Sequence, residues 1–204
     1  MRKIVISLLF GLMFSMLIMA YADETQKSIA DSLVRLHIVA NSDSQIDQSV
    51  KLLVRDAVID ELSPIISNAS NPSHAQQIIN DNLSLVEKAA QSVLKKNNLS
   101  YGATALCTIS HFPTKQYENI ILPAGNYNAL KIILGNGDGQ NWWCVMYPPL
   151  CFEGSIDGNM NSDAKTLLKS NLDSDEYALI CQNSSIPVKF KFKIFEIFDK
   201  LNNK

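Results

Sequence analysis

Gly135-Asn136-Gly137-Asp138-Gly139-Gln140-Asn141-Trp142-Trp143-Cys144-Val145-Met146-Tyr147-Pro148-Pro149-Leu150-Cys151-Phe152 is the stretch that decides how this chain is read. Its Asn-Gly and Asp-Gly steps favour positive φ and tight turns. The residues on either side of those steps, Ala129 to Leu134 and Gln140 to Tyr147, read as strands apolar on both faces, as buried central strands are. The reading is a strand, a glycine turn and a hairpin partner. Pro148-Pro149 then forces a reversal that carries Cys151 back towards Cys144. Trp142 and Trp143 are consecutive, so on a strand they point to opposite faces of the sheet.

Working outward, Ala103 to Phe112 reads as a further strand and Leu122-Pro123-Ala124-Gly125 as a turn. Leu33 to Ala40 is another short apolar strand, ending at Asn41-Ser42-Asp43-Ser44. Ser44 and Asp47 stand in capping-box spacing, and Ile46, Val50, Leu53, Val54, Ala57, Val58 and Leu62 follow on a helical seam, with Pro64 just past its end. Ser73 and Gln76 open a second predicted helix, running to about Asn97. Short helical pieces are predicted over 162–170 and 175–181. Val188 to Lys193 alternates strictly, and Ile194, Phe195, Phe198 and Leu201 then recur at helical spacing, as a stripe that packs on the domain or faces a partner. The fold class is therefore α/β: a single sandwich domain, a small mixed sheet with a glycine-turn hairpin packed against two or more helices.

Met1-Arg2-Lys3 is a short basic start, Ile4 to Met19 is nearly all apolar, and Ala20-Tyr21-Ala22 supplies a small-x-small site. That is the grammar of a signal peptide over 1–22; kept uncleaved, the same run is nearly long enough to anchor in a bilayer. Either way the rest of the chain is expected across a membrane. The full chain has 18 basic and 20 acidic residues; without Arg2 and Lys3 the balance is 16 against 20, a net charge of −4. Such a balance excludes a nucleic-acid footprint, which needs a concentrated basic stripe.

Four cysteines in an exported chain invite a disulfide, and Cys144 with Cys151 is the natural pair; the other reading is two packed thiols. Cys107 and Cys181 sit in apolar settings. Neither a Cys-x-x-Cys nor a close histidine pair exists, so no metal site is expected, and no cofactor either. The Gly135–Gly139 run leads into a strand and carries Asp138, which argues against a phosphate loop. Cys144 as a nucleophile would need His37 or His111 within hydrogen-bond reach, as in a secreted cysteine-dependent cell-wall hydrolase.

In chain order, Leu36-His37-Ile38-Val39-Ala40-Asn41-Ser42-Asp43-Ser44, Val54-Arg55-Asp56, Tyr101-Gly102-Ala103, Phe112-Pro113-Thr114-Lys115, Leu122 to Leu130 and Gly139 to Phe152 together resemble the stage II sporulation protein R family. The resemblance spans about residues 33–152. It implies a signal exported from the forespore into the space between the two sporulation membranes. It also implies a partner, a membrane-embedded aspartic protease of the mother cell, whose activation leads to processing of a sigma-factor precursor. On that footing the chain is a ligand and not an enzyme. The domain plan becomes a signal peptide over 1–22, a signalling domain over 23–152 and a C-terminal extension over 153–204. Contact residues are expected by physics alone: Gln140, Asn141, Trp142, Trp143, Tyr147, Pro148 and Pro149, because Trp and Tyr dominate interface energetics, then Asn41, Ser42 and Asp43 as a polar loop at a strand end.

Overall fold

The computed structural model describes residues 2–117, 119–150 and 162–181. Its elements are α1 (Arg2–Asp31), β1 (Val34–Val39), α2 (Gln45–Ile66), α3 (Pro72–Asp81), α4 (Leu83–Lys96), β2 (Ala103–Phe112), β3 (Lys115–Tyr117), β4 (Ile120–Leu122), β5 (Gly125–Leu134), β6 (Asn141–Tyr147), α5 (Ser162–Asn171) and α6 (Ser174–Ile180). Four strands form one sheet in the order β2-β5-β1-β6, and β3 and β4 form a separate antiparallel pair. The fold is mixed α/β, as expected.

The pairing inside the sheet differs from the expected hairpin. β5 and β6 are not neighbours: β1 lies between them, parallel to β5 and antiparallel to β6. The physical reason is that β1 is buried on both faces, with all six of its residues enclosed. A strand with no solvent face must have neighbours on both edges and layers on both faces. The glycines serve a different purpose from the one expected. They let the β5–β6 connection arch over the end of β1, where Gly139 N donates to Ala40 O at 2.9 Å and Asp138 N to Asn41 O at 3.2 Å. A Cβ on Gly139 would collide with the Ser42 carbonyl, and Gly135 and Gly137 take φ of +54° and +70°, which side chains resist.

α2 begins as its sequence says, with the Ser44 hydroxyl accepting from Asp47 N, and continues through Pro64 into its last turn. The long second helix is in fact two. α3 is capped by Asn71, whose side chain accepts from His74 N, with Pro72 in the first turn. The chain breaks at Asn82, whose amide turns back to Ile78 O. Asparagine competes for backbone carbonyls in this way, and that helps to end a helix.

Two layers cover the sheet. On one face α2, α3 and α4 pack Val54, Val58, Leu62, Ile79, Val86, Ala90 and Leu94 against Leu36, Ile38, Leu130, Ile132, Cys144 and Met146. On the other, Ile29 and Ala30 from the end of α1, Ile120 and Leu122 from β4, and Leu168, Leu172 and Ile180 around α5 and α6 cover Tyr127, Ala129 and Val145. α1 is the one helix among the described residues long and apolar enough to cross a membrane, and its apolar stretch is not buried in the domain. It passes through Ala20–Ala22 without a break. Residues 182–204, with the alternating run Val188–Lys193 and the stripe after it, lie outside the described residues.

Candidate functional site

Seven of the ten expected contact residues, Asn41 to Asp43 and Gln140 to Trp143, converge on one end of β6. Asn41, Ser42 and Asp43 follow β1, and the arch of the β5–β6 connection brings Gln140 and Asn141 onto them. Gln140 N donates to Asp43 Oδ1 at 2.8 Å, and Asn136 N to Asn41 Oδ1 at 3.0 Å. Asp47, in the first turn of α2, ties the loop down: it accepts from Asn41 Nδ2 at 2.9 Å, Ser42 Oγ at 2.6 Å and Tyr101 OH at 2.5 Å. Burial pushes the Asp47 carboxyl up, but the hydrogen bonds from Ser42, Tyr101, Asn41 and Ser44 outweigh it and hold the group below the ordinary carboxylate range. Burial and the Asp47 contact drive the Tyr101 phenol well above its usual value. The loop is thus a hydrogen-bonded brace as well as a surface.

At the other end of β6, Tyr147 and Pro148 are buried and Pro149 is half-buried. The Tyr147–Pro148 bond is cis, and Leu150 N closes the turn on Pro148 O. Tyr147 belongs to the helix-side core and has no surface to offer.

The two tryptophans divide as the strand period demands. Trp142 joins the helix-side core, with the Arg55 guanidinium 4.6 Å from its ring centroid. Its Nε1 is buried without an acceptor. Trp143 lies on the opposite face, stacked on His37 at 3.9 Å and tilted against Phe112 at 4.7 Å. His37 Nε2 is 2.7 Å from Asn141 Oδ1, and burial lowers its pKa, with Lys131 adding to the effect and Asn141 opposing it.

Beneath that stack lies Arg35, which is fully buried. Its guanidinium carbon sits 4.1 Å from the Phe112 ring centroid and 4.8 Å from that of Tyr127. Nε donates to Cys144 O at 3.1 Å and Nη2 to Tyr117 OH at 2.6 Å, while Nη1 has no acceptor. Burial lowers its pKa, and Tyr117 and Tyr127 act against that shift. Sequence reading passed over Arg35, and took Asp47 only as a helix-start residue and Arg55 only as part of a motif. The signal for Arg35 was there: a single cation inside the otherwise apolar run Leu33–Ala40 must find partners when the strand is buried.

The dyad of the hydrolase alternative is not assembled. Cys144 stands opposite Leu36 and faces the helix-side core, whereas the neighbouring His37 points to the other face. His111 lies on β2, opposite Asn126 and on the far side of β5 and β1 from β6. Strand alternation and sheet order are the reasons. Burial raises the pKa of the Cys107 thiol, which is free. Cys151, and with it the expected Cys144–Cys151 bond, lies outside the described residues. Among the described residues no His, Cys, Asp and Glu cluster has the make-up of a metal site.

The surface feature that remains is a cleft of about 660 Å³ along β6. α2 forms one wall with Gln45, Gln48, Ser49, Lys51 and Leu52, β3 forms the other with Lys115, Gln116 and Tyr117, and Gln140 to Cys144 line the floor with Leu150.

The sequence pattern of the family described as Stage II sporulation protein R (spore_II_R) matches residues 30–157. The chain belongs to the stage II sporulation protein R family. It is 41% identical over 124 residues to the Stage II sporulation protein R of Bacillus subtilis (strain 168), an alignment covering 61% of this chain and 55% of that relative. The chain thus aligns with a little over half the length of the curated relative it matches. No solved structure matches it. The family match begins at Ala30, where α1 enters the core, and takes in the whole sheet and the cleft.

Proposed function

We propose that this protein is an exported sporulation signal that activates a membrane-embedded aspartic protease of the mother-cell membrane, leading to processing of the mother-cell sigma-factor precursor. The observation that carries the reading is the family match over residues 30–157. The apolar helix at the start of the chain supports export, with cleavage after Ala22 and release into the space between the forespore and mother-cell membranes. The mechanism is differential binding and not catalysis: a ligand switches a protease only by binding its active arrangement better than its inactive one. The contact surface is the exposed end of β6, where Gln140, Asn141, Trp142 and Trp143 meet the Asn41–Asp43 loop.

The decisive experiment is deletion of the gene in its host, followed by measurement of sigma-factor precursor processing. Processing should stop and return when the gene is restored. Processing that continues without the gene would rule the function out. N-terminal sequencing of the exported protein should begin at Asp23; recovery of the Met1 form alone would make it a membrane-anchored ligand.

A further inference from the structure

Among the described residues, the Asn141–Trp143 half of β6 is paired on one side only, by β1. Its other side looks into the cleft between α2 and β3. Edge strands present main-chain groups that a further strand can pair with, and partners exploit this by adding an extended segment. Two side chains already reach the strand here: Lys51 Nζ donates to Gln140 O at 3.0 Å and Tyr117 OH to Trp143 O at 3.2 Å. The walls are rich in donors. Lys51 and Lys115 stand on opposite sides, glutamines lie between them, and among the described residues no carboxylate lines the cleft. Asp43 acts electrostatically on Lys51 from outside that lining, and it accepts from Gln140 N. A cationic cleft on a chain of net charge −2 is a local reversal of sign.

We propose that this cleft receives an extended, acidic segment of the protein partner, added as a strand along the Asn141–Trp143 half of β6, with carboxylates meeting Lys51 and Lys115. The proposal rests on the reading that the protein acts by binding a partner. Charge selects the occupant. The chain's own alternating run brings Lys189, Lys191 and Lys193, and a second copy would bring the same lysines against themselves. Because successive side chains of a strand turn to opposite faces, lysines on opposite walls select acids an odd number of residues apart.

Trp142 and Trp143 are the only tryptophans of the chain, so intrinsic fluorescence reports on the cleft floor directly. The purified exported protein is titrated with synthetic peptides tiling those loops of the host protease that face the exported side. A peptide with oddly spaced acids should shift the emission. Lys115→Glu should weaken its binding at least ~10-fold, as should a rise in salt from ~0.05 to ~0.5 M, which shortens the screening length. The same variant should melt like the parent yet reduce precursor processing in cells. Lys51→Gln, on the buried side, should weaken the peptide without reversing charge, with its melting temperature measured alongside. The cleft assignment is overturned if no peptide shifts the emission, if binding ignores Lys115→Glu and salt, or if the Lys115→Glu strain processes the precursor normally. Normal processing in the gene deletion instead overturns the signalling function itself, whatever the peptides do.

Discussion

The two faces of the sheet are built by opposite rules. Towards α2, α3 and α4 the core is mainly aliphatic, and the buried charged groups of α2, Asp47, Lys51 and Arg55, lie outside that apolar cluster, Arg55 against Trp142. Towards α1 and the β3–β4 pair, a guanidinium and an imidazole are enclosed among Phe112, Tyr127 and Trp143. The aliphatic face gains stability from area removed from water and tolerates changes of shape. The aromatic face adds directional bonds, so it is less forgiving: each polar atom there must keep its partner. The candidate surface lies where the two faces meet, along β6.

The strongest way to break this comparison is at Arg35. Arg35→Ala empties a fully buried site and leaves Cys144 O and Tyr117 OH without their donor, so urea unfolding should show a loss of ~3–5 kcal/mol. Arg35→Met, which keeps the volume, should lose clearly less. If the two are equally damaging, the charge and its bonds hold this face together and the packing does not. Next come the tryptophans, both half-buried. Trp143→Ala removes the His37 and Phe112 contacts and should cost roughly 2–3 kcal/mol, against roughly 1–2 for Trp142→Ala, whose ring packs beneath Arg55. Equal losses in thermal melts would mean that the faces do not differ as described.

Asp47→Asn should cost about 1–2 kcal/mol at neutral pH, since three side-chain donors and a helix start lose their carboxylate. The folded carboxyl sits below its unfolded value, so its contribution is present above the usual carboxylate range and fades as pH falls through the folded value. Stability of the parent should therefore drop below about pH 4 more steeply than that of the variant. His37 gives the smallest effect, with its own window. Its folded pKa is lowered, so the unfolded chain takes up the proton first, and stability should begin to fall below about pH 6.5. His37→Gln should flatten that part of the curve while leaving the Asp47 limb in place.

Much of this was legible in the residues. The Ser44 cap, the β2 run from Ala103 to Phe112 and the opposed tryptophans follow from period and local chemistry, which are properties of a single segment. Strand order is a property of pairs of segments. Asn136-Gly137 and Asp138-Gly139 look the same whether a turn joins neighbours or arches over a third strand. Only the double-sided burial of Leu33–Ala40 argued for the second case. The helix break at Asn82 was hidden because Ile79, Val86 and Ala90 keep contact with one core across it. At the site, the convergence of Asn41–Asp43 with Gln140 was invisible for the same reason: it is made by the arch. Arg35 was missed because a lone cation in an apolar strand was not followed to its partners.

The placing of β1 has a consequence for how the chain comes together in time. Its two sheet neighbours are β5 and β6, which begin 91 and 107 residues after β1. The α2–α4 layer can nucleate from local contacts, but the middle of the sheet must wait for the far end of the chain. Contacts so distant in sequence make assembly slow, because the loop they close is paid for before any pairing is gained. A chain threaded across a membrane from its N-terminus would therefore arrive with β1 still solitary. It would stay supple enough to pass a narrow channel until Tyr147 had cleared it.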